Sequence, residues 1–172
     1  FQLAKKNIEL NNFTDKIELL LSGCSDNQGF LTVDKNKDGA GSNLEKSTNG
    51  TKIPLITLSD LILKYEISTA VLKLDCEGCE YDSILTADKS TLSKFTHIQI
   101  EYHYGYKNLK EKLENCGFTV TVTDPYYIKN KQAGKSMFYG YLYAKHSWIF
   151  SKILINQLLW LFTSEIFINI FS

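Results

Sequence analysis

The segment from residue 70 to residue 85 constrains the fold more than any other part of the sequence. Its first half, Ala70–Asp75 (AVLKLD), is a short apolar run of the kind that forms a buried strand. Its second half, CEGCEYDSIL, continues into a helical pattern, and Gly78 permits a tight turn between the two. A buried strand followed directly by a helix is the unit from which α/β proteins with parallel strands are built.

The remaining elements are predicted from the spacing of apolar residues. Helices are expected at residues 1–11, 57–65 and 108–116, and strands at 16–21, 28–33, 97–103, 118–123 and 138–144. The last two strands should form an antiparallel pair. Residues 34–52 are rich in Gly, Asn, Ser and Lys and are predicted to be a loop. Together these elements predict an α/β fold with a mostly parallel sheet and an antiparallel last strand.

Ionisable side chains follow two of the predicted strands, at the edge where parallel α/β sheets bind ligands. Asp75 and Glu77 come at the end of one strand, and Glu101 and His103 at the end of the next. Because neighbouring parallel strands end at the same edge, we expect these four side chains to form a site. For Asp75 and Glu77 a capped turn is the alternative, since acidic groups stabilise a helix N-terminus.

Cys76 and Cys79 form a Cys-x-x-Cys motif within the same segment. Such a motif suggests a thiol redox pair or half of a zinc site. A reactive thiol needs positive charge nearby, whereas Asp75, Glu77 and Glu80 surround this pair. Zinc would need two further ligands, and no second paired motif supplies them. We therefore expect small packed thiols, and we expect no metal.

Residues 34–45 (DKNKDGAGSNLE) match the pattern of a calcium-binding loop. Oxygen-bearing side chains, a glycine and a final glutamate fall at the required positions. However, no helix is predicted on either side, and Gly41 stands where an apolar residue normally pairs such loops. An Asx-rich connecting loop is therefore the favoured interpretation, and calcium binding is the alternative.

The last 26 residues differ from the rest of the chain because 16 of them are Trp, Phe, Ile or Leu. A membrane-spanning helix needs about 20 apolar residues, and Glu165 would lie inside any window of that length. We favour a hydrophobic helical tail over residues 146–172, packed against the domain or against a second copy. The alternatives are an interfacial helix making a peripheral membrane contact and a true membrane span.

Composition narrows the partners and the compartment. The 19 basic and 19 acidic residues cancel, and no basic block is present, which argues against a nucleic-acid partner. Every basic residue is lysine, so no arginine is available to bind phosphate with two parallel hydrogen bonds. The chain opens with no secretory signal, which is either absent or lost with a missing N-terminus, and it has only four cysteines. We expect a cytoplasmic protein, with membrane association as an alternative. The oligomeric state stays open.

The segment LKLDCEGCEY resembles the central motif of the FkbM-type S-adenosylmethionine-dependent methyltransferases, a strand ending in Lys-x-Asp-x-Glu-Gly-x-Glu. Residues 7–17, 57–61, 100–103, 113–118 and 141–144 are similar to further elements of that domain, which would cover residues 1–145. The resemblance implies a Rossmann-like sheet with strand order 3-2-1-4-5-7-6 and an antiparallel strand 7. Residues 16–21 would be strand 3 and Ala70–Asp75 strand 4, so the N-terminal strands 1 and 2 are missing.

The missing strands would carry the glycine-rich turn and the acidic residue that hold the cofactor. The resemblance leaves Gly23, Cys24 and Asp26 on the adenine side of the cofactor site, with Asp75 as its floor. Strand edges would also be left unpaired, so we expect the chain to bind S-adenosylmethionine weakly or not at all. The alternatives to an enzyme are a non-catalytic remnant and a module that binds calcium or a membrane.

The resemblance implies O-methylation of a hydroxyl on a sugar or another natural product, so the partner would be a small-molecule or glycan acceptor. Such a hydroxyl must lose its proton as the new bond forms, and His103 is the expected base because imidazole titrates near neutrality. Glu101 would orient His103 or bind the acceptor. Asp75 and Glu77 would shape the junction of the cofactor and acceptor pockets. His103, Glu101 and Glu77 are thus the predicted catalytic residues.

Overall fold

The computed structural model describes residues 1–33, 50–76, 78–129, 136–147 and 166–171. In this part of the chain the helices are α1 (Gln2–Leu10), α2 (Leu58–Lys64), α3 (Cys79–Thr86), α4 (Lys89–Leu92) and α5 (Lys107–Asn115). The strands are β1 (Gly23–Cys24), β2 (Gly29–Val33), β3 (Thr51–Ile56), β4 (Ala70–Asp75), β5 (Phe95–Tyr102), β6 (Phe118–Val122), β7 (Tyr126–Lys129), β8 (Ser136–His146) and β9 (Ile166–Phe171). The calcium-loop candidate at 34–45 and the catalytic candidate Glu77 lie outside the described residues.

The larger sheet has the strand order β6-β8-β5-β4-β9, with β7 also paired to β8. β4 runs parallel to β5 and to β9, whereas β8 runs antiparallel to β5, β6 and β7. The α/β prediction is confirmed, but the sheet is mixed rather than mostly parallel. The order of β4, β5, β8 and β6, with β8 antiparallel, is the one that the family resemblance implies for strands 4, 5, 7 and 6.

A second sheet, with the order β1-β3-β2, corrects two predictions. The expected strand at residues 16–21 is wrong, because strand pairing begins only at Gly23. Residues 51–56, of which the first two were assigned to a loop, form the central strand β3. The physical reason is that a segment becomes a strand only when a second strand supplies its hydrogen bonds. The apolar pattern within one segment does not identify that second strand.

The last strand, β9, corrects the prediction of a helical tail. Residues 166–171 (IFINIF) run parallel to β4 and end with Asp75 opposite Phe171. β9 therefore pairs one of the strand edges that was expected to be exposed. Ile at every second position, together with two Phe residues, favours a strand. The edge of β4 supplies the hydrogen-bonding partners that this strand needs. Residues 148–165 lie outside the described residues, and no described helix is long and apolar enough to cross a membrane.

The core lies on one face of the larger sheet, beneath α2 to α5. Alternate residues of the strands are buried there, together with the apolar side chains of these helices: Leu72, Leu74, Ile98, Ile100, Tyr102, Leu142, Leu58, Leu61, Ile84, Leu92, Leu109 and Leu113. The intervening residues of the same strands, including Lys73, Glu101 and Tyr141, are only partly buried or exposed. This second face is polar, and it carries side chains of the candidate site.

Helix α2 begins where the sequence predicts. The hydroxyl of Thr57 accepts a hydrogen bond from the backbone N–H of Asp60 at 3.1 Å, and a carboxylate oxygen of Asp60 accepts from the N–H of Thr57 at 3.0 Å. This reciprocal pair is a capping box, which satisfies donors that the first turn leaves without helical partners. The hydrogen bonds hold the pKa of Asp60 below its usual range.

Candidate functional site

Three ionisable side chains meet at the carboxyl edge of β4 and β5. Asp75 ends β4, Glu101 lies one residue before the end of β5, and His103 directly follows β5. One carboxylate oxygen of Asp75, one of Glu101 and one ring nitrogen of His103 all lie within 4.8 Å of one another. The parallel pairing of β4 and β5 brings both strand ends to this edge. The structure thus brings together three of the four residues expected here, while Glu77 is not described.

A fully buried carboxylate holds the ring of His103. Oε1 of Glu80, in the first turn of α3, lies 2.9 Å from Nδ1 of His103, which is itself only 3% exposed. Since a carboxylate only accepts, Nδ1–H is the donor. Oε2 of Glu80 accepts the backbone N–H of Gly78 at 2.8 Å. Glu80 thus contacts Nδ1 of His103, whereas the sequence analysis gave an orienting role to Glu101 as one option.

Sequence reasoning missed Glu80 as a site residue although it is the last glutamate of the Lys-x-Asp-x-Glu-Gly-x-Glu motif. It was counted only as negative charge beside the cysteines. A glutamate in the first turn of a helix is ordinarily explained by the helix dipole. Its burial depends on His103, 23 residues further along the chain, and the motif alone does not show that contact. The motif position was the one available signal.

Gly78 makes the turn from β4 to α3. Its φ of 127° is a backbone conformation that side chains with a Cβ rarely adopt. A Cβ at this position would also lie 3.4 Å from the ring of Tyr104. The turn predicted from the sequence therefore forms, and its N–H is one of the two donors that hold Glu80.

Cys76 and Cys79 are joined by a disulfide, which corrects the expectation of packed thiols. Their Cα atoms are 5.5 Å apart, within the range that a disulfide can bridge. The acidic neighbours disfavour a free thiolate, because like charges repel. A disulfide carries no charge, so the acidic neighbours do not exclude a bond between the two cysteines. Cys24 and Cys116 are free and buried.

Tyr81 ties the residues after β5 to α3. Its hydroxyl donates to the carbonyl of Gly105 at 2.6 Å and accepts the N–H of Tyr104 at 2.8 Å. Burial raises the pKa of Tyr81, so the hydroxyl stays protonated and remains a donor at neutral pH. These bonds fix the backbone that follows His103 and leave the ring of Tyr104 43% exposed beside the turn.

Polar partners contact both carboxylates of the cluster. Nζ of Lys73 lies 3.1 Å from Oδ2 of Asp75. Tyr141, which is opposite Glu101 in the sheet, donates to that carboxylate. This bond, together with the negative charges of Glu101 and Asp75, raises the pKa of Tyr141. Two carboxylates and an imidazole are ligands that divalent cations accept, and the absence of a metal stays a prediction.

The residues expected on the adenine side lie in the smaller sheet, next to α3. Gly23 and Cys24 form β1, and Sγ of the buried Cys24 is 3.1 Å from Oγ of Ser83. Burial raises the pKa of Cys24. Asp26 is exposed, and its charge adds to the effect of burial in raising the pKa of Asp82 on α3. These residues thus flank the helix whose first turn carries Glu80.

The fold and the cluster define an α/β protein with an ionisable site at the carboxyl ends of its parallel strands, the place where such sheets bind ligands. The sequence model of the methyltransferase FkbM domain matches residues 1–120, a range that includes the complete cluster and Glu80. The chain therefore belongs to the FkbM methyltransferase domain family. Comparisons with curated proteins and with solved structures give no match.

Proposed function

We propose that this protein is an S-adenosylmethionine-dependent methyltransferase that methylates a hydroxyl of a sugar or another natural product. Its family supports methyl transfer in general. The observation that carries the proposal is the buried Glu80–His103 pair, which lies at the same strand edge as Asp75 and Glu101. The cofactor supplies a methyl group on a positively charged sulfonium, and the acceptor must supply a nucleophilic oxygen.

His103 is the proposed general base. Glu80 binds Nδ1–H, so Nε2 is the ring nitrogen that takes the proton of the acceptor hydroxyl. The positive charge that then develops on the ring is stabilised by the buried carboxylate at 2.9 Å. A base held in one orientation removes the proton only from a hydroxyl that is correctly placed, which favours a defined acceptor geometry.

Glu101 and Asp75 are assigned by elimination and by charge. Because Glu80 orients His103, the partly buried carboxylate of Glu101 is left to accept a hydrogen bond from the acceptor. Asp75 presents a second carboxylate at the same edge, which suits the positive charges of the cofactor. The two carboxylates therefore fit a positively charged cofactor. Gly23, Cys24 and Asp26 are proposed to lie towards the adenine of that cofactor.

Exposed aromatic rings beside the cluster support a ring-shaped, hydroxyl-rich acceptor. Tyr104 is 43% exposed beside the turn at Gly78, and Tyr141 is 36% exposed beside Glu101. An aromatic face can pack against the C–H face of a sugar while neighbouring carboxylates accept its hydroxyls. The zero net charge and the lack of arginine favour an uncharged acceptor over a phosphorylated one.

The test is transfer of a radiolabelled methyl group to a panel of sugars and hydroxylated natural products. S-adenosylmethionine at about millimolar concentration accommodates the weak binding expected from the sequence. His103→Ala should lower kcat by about 10²–10⁴-fold. Glu101→Gln should mainly raise the KM for the substrate that accepts the methyl group. The reason is that the amide oxygen of Gln accepts a hydrogen bond from the substrate's hydroxyl less strongly than the carboxylate of Glu101 does.

His97→Ala is the matched control, because His97 is exposed and lies at the other end of β5. It should keep the wild-type turnover. A His103→Ala protein with wild-type kcat would eliminate the base assignment. Transfer of the labelled methyl group to no member of the panel would reject the proposed activity.

A further inference from the structure

The disulfide between Cys76 and Cys79 closes a loop of four residues at the centre of the site. Asp75 immediately precedes this loop and Glu80 immediately follows it. The loop therefore connects the strand that ends at the cluster to the helix that carries the partner of His103. A change in the conformation of this loop would therefore alter the spacing of these two carboxylates.

Two residues of the loop, Cys76 and Gly78, contact the carboxylate of Glu80. Sγ of Cys76 lies 3.5 Å from Oε2 of Glu80, and the N–H of Gly78 donates to the same oxygen at 2.8 Å. The other oxygen of Glu80 binds His103. A bonded sulfur has no proton to donate, whereas a thiol at the same place would compete with Gly78 for this oxygen. The oxidation state of Cys76 thus bears directly on the Glu80–His103 pair.

We propose that Cys76 and Cys79 form a reversible dithiol–disulfide modification site that sets the mobility of the turn holding Glu80 against His103. The co-reactant is a thiol. One thiolate attacks a sulfur of the disulfide, the S–S bond breaks, and the departing sulfur takes up a proton. A second thiolate then attacks the sulfur of the added thiol in the mixed disulfide. Two electrons and two protons enter the protein, and the two thiols leave as their own disulfide.

The burial of the two sulfur-bearing residues sets the order of these steps. Cys79 is partly exposed, whereas Cys76 is only 5% exposed, so the first attack falls on Cys79. The departing sulfur is then that of Cys76, which lies against the carboxylate of Glu80. Negative charge there disfavours a thiolate, so this sulfur becomes a thiol that donates to Glu80.

The size of the effect follows from the length of the loop. In the chain-entropy description, a cross-link that closes a loop of four residues lowers the number of conformations available to the opened loop by a factor of about 20. Reduction should therefore make local opening of the turn about 20-fold more frequent. The backbone N–H of Gly78 reports this opening directly, because it is hydrogen-bonded to Glu80 only while the turn is closed.

The experiment measures amide hydrogen exchange by NMR on the 172-residue chain, oxidised with glutathione disulfide or reduced with dithiothreitol. Exchange at Gly78 should be about 20-fold faster in the reduced protein, and exchange at Ile98 in β5 should not change. Alkylation after unfolding should count two free thiols in the oxidised protein and four in the reduced one, since Cys24 and Cys116 are free.

Variants separate this pair from the other cysteines. The double variant Cys76→Ser, Cys79→Ser should exchange at Gly78 like the reduced protein whether or not the reductant is present. Cys116→Ser should keep the complete response. Four alkylated thiols after oxidation would reject the proposal, and so would an unchanged rate at Gly78 or equal acceleration at Ile98. No readout depends on methyl transfer, so these outcomes leave the proposed enzyme activity to its own test.

Discussion

Glu80 is the residue whose replacement should most clearly separate a structural site from an accidental arrangement of charges. Its side chain is completely buried and bonded at both oxygens, to His103 at 2.9 Å and to the N–H of Gly78 at 2.8 Å. Glu80→Ala removes both bonds, the one from the imidazole N–H of His103 and the one from the backbone N–H of Gly78. Glu80→Gln keeps the shape and one carbonyl oxygen, but it removes the charge.

The magnitude follows from these contacts. A hydrogen bond to a charged group contributes about 1.5–3 kcal/mol, and Glu80 accepts one from His103 and one from Gly78. We therefore expect Glu80→Ala, which removes both, to lower the free energy of unfolding by about 4 kcal/mol. Glu80→Gln, which still accepts one of the two hydrogen bonds, should lower it by about 2–3 kcal/mol.

Urea unfolding followed by circular dichroism measures these differences. The matched control is Glu114→Gln, because Glu114 is 45% exposed and pairs with Lys110 across one turn of α5. Such an exposed pair contributes about 0.3–0.5 kcal/mol. A Glu80→Gln protein as stable as the control would refute the reasoning. A double-mutant cycle with His103→Asn should give a coupling energy of about 1–3 kcal/mol between the two side chains.

Three further predictions test other parts of the fold. Gly140→Ala would place a Cβ 2.5 Å from the hydroxyl of the buried Tyr102, so urea unfolding should show a loss of about 1–3 kcal/mol. Thr57→Ala removes a cap and should cost about 1 kcal/mol at pH 7. The backbone N–H of Thr57, the largest cause of the lowered pKa of Asp60, remains in the variant, but the side-chain hydrogen bond from Thr57 is lost. Because that bond also lowers the pKa, it stabilises the fold above the usual aspartate range, and the deficit should shrink as the pH falls through the lowered pKa. Deleting residues 166–172 unpairs one edge of β4, and sedimentation should then show concentration-dependent self-association.

Local patterns identified most of the elements near the site. The apolar run of Ala70–Asp75 and the glycine after it predicted β4 and the turn into α3, and Thr57 with Asp60 predicted the start of α2. The prediction that failed most completely was the strand at residues 16–21, and β9 was missed within a tail expected to be helical. Both errors concern strands, whose formation depends on a distant partner rather than on local sequence.

The sequence by itself determined the family, the α/β class and the placing of Asp75, Glu101 and His103 at strand ends, because these properties depend on residue order and short-range spacing. Only the tertiary structure decided that Glu80 contacts Nδ1 of His103. It also decided that Cys76 and Cys79 are bonded and that β9 covers the edge of β4. These contacts join residues from different segments of the chain, and the packing of those segments sets the distance between them and their burial. The spacing of residues within one segment does not predict that packing.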